Sequence, residues 1–400
     1  MPPICTGTLK GFYKPDYDGA SIVNLLSTII HARGGQSPHK PLKKPAVEGL
    51  KGFDKIVYLL VDGLGKHQLD VYLEEGFGQR FFAAHHHDVI SSVFPATTAA
   101  AVTTYATGAS PAEHGVLSWW LNLHDLGMVG NVLIEASRLG SSLKADEFVL
   151  RDYLRMPSYL NSTRGGRALL SYGHIPKSSL SNAAARWTDK RAYESLRDMQ
   201  EAVVEYARSG ESGLAYAYWP ELDGCCHEFG CLHPTTMAHF DFIDEVLASL
   251  IEEIRGTDTV VIVTADHGLV DTPRSRYIDL SKVDGLYDCL ATLPAGDSRQ
   301  VSFFVRASRQ KEFVACCDTL KEVGVLIPGS RLRRGGFFGP GEEHSSLGGR
   351  VGDYVFIARA DYAFDAPPAG MPSGVLVGTH GGMSAEEMRV PLYVVPLQGP

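Results

Sequence analysis

Short apolar runs that alternate with helical segments constrain the fold of this chain most strongly. The runs at 55–61 and 259–264 are uninterrupted, and each is followed closely by an aspartate and a glycine. Such runs are typical of strands that are buried on both faces of a parallel sheet. Further strand-like runs lie at 89–94, 214–219, 301–305, 323–327, 354–358 and 390–395, and helical patterns lie at 20–32, 64–75, 99–106, 189–208 and 234–255. The alternation predicts an α/β fold: a doubly wound, mostly parallel central sheet with helices on both faces.

The 400 residues are enough for one large α/β domain, which we expect to span 1–400. The less regular region 122–210 is predicted to be an insertion over the sheet edge. Residues 270–350 are predicted to form a small cap subdomain that contains the runs at 301–305 and 323–327. The runs at 354–358 and 390–395 are predicted to complete the central sheet.

Composition excludes several classes of function. The net charge is -9 and there is no dense block of lysine and arginine, so nucleic acid is not an expected partner. No apolar run has the length of a membrane span or of a signal-peptide core. Seven cysteines without a CxxC spacing do not form a disulfide framework, which favours a cytoplasmic location. The sequence leaves the oligomeric state open, and a homo-oligomer is possible.

Acidic residues and histidines collect near the ends of the predicted strands, where parallel sheets bind ligands. They are Asp62, Asp223, His227, Asp266, His267 and His380. Taken singly, an aspartate here is usually a turn or cap residue, and a histidine is usually an ordinary core residue. Together they form a carboxylate and imidazole set that suits zinc best, with Mn²⁺ or iron as alternatives. Six ligands divide into two sites, and two metals ~3.5–4 Å apart can clamp a phosphoryl group.

Two hydroxyl residues, Thr97 and Thr98, stand between the strand that ends near Phe94 and the helix at 99–106. A hydroxyl at this position is usually an N-cap, which accepts a backbone N–H of the first turn. It can also be a nucleophile beside a phosphate that the helix N-terminus holds. The stretch by itself leaves both interpretations open.

Five blocks of the chain resemble the alkaline phosphatase superfamily, and most closely its nucleotide pyrophosphatase/phosphodiesterase branch. The blocks are 55–65, 94–114, 219–230, 260–268 and 378–392, and they occur in the order of that family. The resemblance implies that one zinc is held by Asp62, Asp266, His267 and the oxygen of the nucleophile. It implies a second zinc at Asp223, His227 and His380. The family register makes Thr98 the nucleophile, with Thr97 as the fallback.

The chain departs from the phosphodiesterase branch at one position. That branch carries an asparagine a few residues after the His-Gly pair, and the asparagine donates to a phosphate oxygen. Here the register holds Trp119, followed by Trp120, and Asn122 is the nearest asparagine. These three residues are the candidates for contact with substrate. The tryptophans form either an apolar wall for a substrate group or part of the ordinary packing.

The leading hypothesis is a metal-dependent hydrolase of small-molecule phosphate esters, of the phosphodiesterase or nucleotide pyrophosphatase type. A phosphonate hydrolase and a phosphomonoesterase use the same set of residues and are alternatives within the enzyme class. A binding protein without catalytic activity is the alternative from another class, and the complete ligand set with its threonine argues against it.

Overall fold

A computed structural model of the protein describes residues 2–4, 7–143, 150–368 and 374–398. Its central sheet has seven strands, in the spatial order β2 (His87–Ser91), β18 (Arg389–Pro396), β9 (Thr259–Thr264), β1 (Lys55–Val61), β8 (Gly213–Trp219), β6 (Gly166–Tyr172) and β7 (Asp189–Tyr193). Only β18 of these seven strands runs antiparallel to its neighbours. The predicted α/β fold with a mostly parallel sheet is confirmed.

Helices cover both faces of this sheet. Every residue of β1, β8 and β9 is buried, and side chains alternate between the two faces, so both faces must be covered. The helices are α1 (Ile22–Ala32), α2 (Lys66–Glu74), α3 (Thr98–Thr107), α4 (Pro111–His114), α5 (Leu150–Leu154), α6 (Ser179–Ala184), α7 (Leu196–Arg208), α8 (Glu221–Phe229), α9 (Pro234–Glu253), α10 (Gln310–Asp318), α11 (Gly329–Arg334), α12 (Leu347–Val351) and α13 (Ala385–Met388). In the part of the chain that is described, no helix has the length and apolar character needed to cross a membrane.

Smaller sheets stand beside the central one. An antiparallel sheet of four strands has the order β12 (Ala295–Asp297), β13 (Gln300–Phe303), β15 (Tyr354–Ala358) and β14 (Gly324–Pro328). A sheet of three strands consists of β3 (Leu121–Leu123), β4 (Met128–Asn131) and β5 (Ala136–Ser137). Two further pairs are β10 (Val270–Asp271) with β17 (Gly378–Thr379), and β11 (Tyr277–Asp279) with β16 (Ala363–Asp365). A bridge between Trp120 and Gly296 connects the first two of these sheets.

The structure corrects three of the predicted elements. The helix expected over 189–208 begins only at Leu196, after a Ser195 cap, because 189–193 form the edge strand β7. Residues 166–208 therefore contribute β6 and β7 to the central sheet, and α7 packs against these strands, although 122–210 was expected to be an insertion over the sheet edge. The run at 354–358 lies in the four-stranded sheet and not in the central one. In each case the place of the segment is decided by pairing with strands that are not adjacent in sequence, and the local residue pattern does not show which strand will be the partner.

Candidate metal centre and active-site cavity

The topology brings the predicted ligands to one edge of the central sheet. Strands β8, β1 and β9 are parallel neighbours, so their carboxyl ends lie side by side. Asp62 follows β1 directly, and Asp266 and His267 follow β9 after one alanine. Asp223 and His227 are one turn apart on α8, which follows β8, and therefore lie on the same face of that helix. His380 comes directly after β17.

His267 lies between the two groups of ligands. The ligand atoms of Asp62, Asp266 and His267 are all within 4.8 Å of one another, and so are those of Asp223, His267 and His380. His267 Nε2 is 3.5 Å from Asp62 Oδ1 and 3.4 Å from Asp266 Oδ2. The His267 ring stacks on the His380 ring at a centroid distance of 3.9 Å. His227 Nε2 is 3.0 Å from Asp223 Oδ2, so all six side chains form one continuous cluster.

The hydrogen bonds around the cluster fit a metal centre. Asp62 Oδ1, Asp223 Oδ1 and Asp266 Oδ2 are buried and have no hydrogen-bond partner among the described residues. The second oxygen of Asp62 accepts the Tyr218 hydroxyl, and that of Asp266 accepts the N–H of Gly63 at 3.1 Å. Buried carboxylate oxygens without partners are costly unless a cation binds them. One oxygen thus orients each of these two carboxylates, and the other is left for a metal ion.

The histidines are oriented in the same way. His227 Nδ1 lies 2.7 Å from the carbonyl oxygen of Gly378, and His267 Nδ1 lies 3.2 Å from that of Gly268. Both carbonyls can only accept, so the Nδ1 atom of each ring carries a proton. The Nε2 atoms of His227 and His267 therefore face the carboxylates, where each could bind a metal ion in place of a proton.

Electrostatics also favours cations at this position. Burial raises the pKa of Asp62, and the neighbouring carboxylates of Asp266 and Asp223 raise it further. Burial by itself would lower the pKa of His227, but the Asp223 carboxylate outweighs it and raises the value to about 9. Burial and the adjacent His267 hold the pKa of His380 well below its usual range. Bound cations would offset the repulsion among the three carboxylates.

The two threonines occupy different environments. Thr98 is the first residue of α3, is half-buried, and has its Oγ1 3.1 Å from His267 Nε2. Thr97 is fully buried at the N-cap position. Although Thr97 occupies the N-cap position, its side chain makes no capping hydrogen bond. Only Thr98 reaches both the cluster and the adjoining cavity.

A cavity of about 820 Å³ opens directly onto the cluster. Its aromatic lining consists of Trp119, Trp120, Tyr218, Tyr277 and Phe364. The two tryptophans therefore lie where an apolar wall for a substrate would be. Asn122 does not line this cavity; its Nδ2 donates to the carbonyl oxygen of Gly349 at 2.9 Å and ties β3 to α12. The structure gives no support for Asn122 as a substrate contact, since its side chain is buried and makes this hydrogen bond within the fold.

A family model for type I phosphodiesterases and nucleotide pyrophosphatases matches residues 56–383. The chain belongs to this family. The resemblance to the alkaline phosphatase superfamily is thereby confirmed, and the family identifies the chain as a phosphoester hydrolase. No curated protein sequence matches the chain.

Several solved structures share the fold of this chain. Human ectonucleotide pyrophosphatase/phosphodiesterase 5 is 16% identical with a TM-score of 0.64, over 85% of this chain and 87% of that one. An inactive variant of the murine protein, in complex with AMP, is 16% identical with a TM-score of 0.63, over 84% and 87%. Phosphonoacetate hydrolase from Sinorhizobium meliloti 1021, in complex with phosphonoformate, is 17% identical with a TM-score of 0.61, over 84% and 89%.

Sequence reasoning missed three residues at the site of this phosphodiesterase-family chain. Asp297, at the end of β12, accepts the Trp119 N–H with its two oxygens at 3.3 and 3.2 Å. Burial raises the pKa of Asp297 to about 6. Tyr218 donates to Asp62, and Arg138 lines the cavity. The alternation in β8 could have indicated that Tyr218 shares a face with Tyr216, but nothing near Asp297 or Arg138 in the sequence marks them as part of the site.

Proposed function

We propose that this protein is a two-metal phosphodiesterase that acts on small-molecule phosphate esters with Thr98 as its nucleophile. The observation that carries the proposal is the position of the Thr98 hydroxyl. It lies 3.1 Å from His267 Nε2, at the start of α3, and it borders the cavity beside the six-residue cluster. A hydroxyl with a purely structural role has no need to lie beside three buried carboxylates that each have one oxygen without a partner.

The proposal assigns two ions to the cluster. One would be held by Asp62, Asp266 and His267 with the Thr98 oxygen, and the other by Asp223, His227 and His380. The mixture of carboxylate and imidazole suits zinc, with Mn²⁺ or iron as alternatives. When bound, such ions make hydroxyls and water more acidic and offset the charge that develops on a phosphoryl group.

The residues of the chain then divide the reaction into two displacements. Deprotonated Thr98 Oγ1 forms a bond to phosphorus while the bond to the leaving alcohol breaks, which gives a phosphothreonine that still carries the second ester group. Backbone N–H groups in the first turn of α3 have no acceptor within the helix and can donate to the phosphoryl oxygens. Water then cleaves the bond between Thr98 and phosphorus and regenerates the hydroxyl. The cavity beside Trp119 holds the ester substituent that stays on phosphorus after the first alcohol has left.

A panel of chromogenic esters tests this proposal. We expect zinc-loaded protein to hydrolyse bis(p-nitrophenyl) phosphate faster than p-nitrophenyl phosphate or p-nitrophenyl phenylphosphonate. Quenching at acidic pH followed by mass spectrometry should find the phosphoryl group on Thr98. Higher rates on the phosphonate or the monoester would favour those two alternative activities of the same site. Absence of turnover with both metals bound, or a phosphate on Thr97, would refute the proposal.

A further inference from the structure

Asp297 brings a carboxylate into the cavity from outside the central sheet. It ends β12 of the four-stranded sheet, whereas the predicted ligands follow strands of the central sheet or of the β10–β17 pair. Its Cβ lies close to the loop after His380, since a Cβ built on Gly381 would be only 2.8 Å from it. Its charge acts on both His267 and His227. Asp297 therefore lines the cavity beside the cluster of predicted ligands.

The hydrogen bonds of Asp297 remove a possible donor from the site. Trp119 lines the cavity, and its N–H is donated to the Asp297 oxygens and is not left for a phosphate oxygen. A carboxylate at that position can accept hydrogen bonds and repels negative charge. The local chemistry thus opposes a ligand with several anionic oxygens.

Among the described residues of the lining, no free cation compensates for this carboxylate. Arg138 is the only lysine or arginine among the described residues that line the cavity. Its guanidinium donates to the carbonyl oxygens of Pro294 at 2.7 Å and Ala366 at 2.8 Å, and it stacks over the Trp120 ring at 5.2 Å. The neighbouring Asp365 carboxylate also lines the cavity and acts on Arg138 together with Asp297. Apart from the four predicted metal ligands that line the cavity, its described lining thus carries two carboxylates and one guanidinium that is already engaged.

We propose that Asp297 makes the cavity selective for phosphodiesters with a single negative charge and against ligands with a second one. The inference rests on the proposed phosphate-ester site and narrows its substrate class. Phosphate monoesters, polyphosphates and phosphonates that carry a carboxylate all bring the second charge. The favoured substrate is a diester whose remaining substituent is uncharged or cationic and lies against Trp119 and Trp120.

Binding of two small anions tests this inference without depending on turnover. Calorimetry at pH 8 compares dimethyl phosphate, a monoanion, with methyl phosphate, a dianion, on metal-loaded wild-type protein and Asp297→Asn. Metal ions themselves favour the more highly charged anion in both proteins. The test therefore compares the ratio of the two Kd values in the wild-type protein with the same ratio in Asp297→Asn. We expect Asp297→Asn to shift that ratio about tenfold or more toward methyl phosphate, because it removes a like charge from a partly buried site.

A matched control removes the same charge elsewhere. Asp288 is exposed in the segment before β12 and does not line the cavity, so Asp288→Asn should leave the ratio within about twofold of wild type. Elemental analysis must find the same metal content in all proteins. Asp297→Ser, which removes the charge from a smaller side chain, replaces the asparagine variant if that variant does not fold.

An unchanged Kd ratio in Asp297→Asn would overturn the inference. Loss of metal from the folded variant would do the same, since it would make Asp297 part of the metal centre. Failure of the metal-loaded protein to bind either anion would overturn this inference and the proposed function together. Anion binding with the expected shift, but without turnover of any ester, would refute only the proposed catalytic function.

Discussion

Glu387 holds together the loops that carry His267 and His380, and replacing it should cost much of the stability of the fold. Its side chain accepts Arg299 Nε at 2.8 Å, and both side chains of this ion pair are 0% exposed. The same carboxylate accepts the N–H groups of Gly382 at 2.7 Å and Ser384 at 3.0 Å. The Glu387 carbonyl oxygen accepts the Gly268 N–H at 3.0 Å.

The substitution Glu387→Gln keeps the shape of the side chain and removes its charge. The Arg299 guanidinium is then left buried without a counter-charge, and the new amide brings its own N–H donors to a position surrounded by donors. Breaking a buried pair in this way costs about 3–5 kcal/mol, against a total stability of about 5–15 kcal/mol for a typical protein. Urea denaturation with a chelator present measures the loss on the protein itself, without the contribution of bound metal.

The control breaks an ion pair of the same chemistry at the surface. Arg333 and Glu343 are paired with 36% and 42% of their side chains exposed, so Glu343→Gln should cost at most about 1 kcal/mol. A loss of less than about 1 kcal/mol for Glu387→Gln would refute the reasoning from the buried charge.

Four further predictions follow from the site and its surroundings. Purified protein should bind about two zinc-class ions, and chelation should abolish turnover; elemental analysis that finds one ion after zinc reconstitution would contradict the two-site assignment. Thr98→Ala should lose nearly all turnover and keep its metal, whereas Thr97→Ala should keep most of its turnover. An active Thr98→Ala enzyme would show that Thr98 is not the nucleophile. His380→Ala and Asp266→Asn should each lower kcat more than tenfold, which is ~1.4 kcal/mol of barrier, and a smaller loss with metal bound would show that the residue is no ligand. Burial lowers the pKa of His114 to about 3 from its ordinary 6.5, so the unfolded chain takes up a proton at a higher pH than the folded protein does. The free energy of unfolding should therefore fall by about 1.4 kcal/mol for each unit by which the pH is lowered from 6.5 to 3. A His114→Gln variant with the same slope would contradict this cause.

Several features of this protein could be predicted from the sequence because they depend on neighbouring residues. The side chains of an uninterrupted apolar run such as Lys55–Val61 are buried only if other elements pack on both faces of the strand. This requirement predicts a parallel sheet that is covered by helices on both faces. Asp62 and Asp266 stand immediately beyond such runs, so their place at the carboxyl edge of the sheet follows from the chain itself. The Asp223 and His227 spacing likewise defines one helix face.

Other features depend on contacts between distant parts of the chain, and only the tertiary structure decided them. The 189–193 segment is a strand because β6 offers it an edge to pair with, which its polar residues do not reveal. Thr97 and Thr98 are chemically alike, and their roles separate only because the turn into α3 directs one hydroxyl to His267 and buries the other. Asp297 reaches the cavity from a different sheet through its bond to Trp119. Short-range patterns encode which elements form and which residues end them, whereas charge and shape inside the cavity arise where separate elements meet.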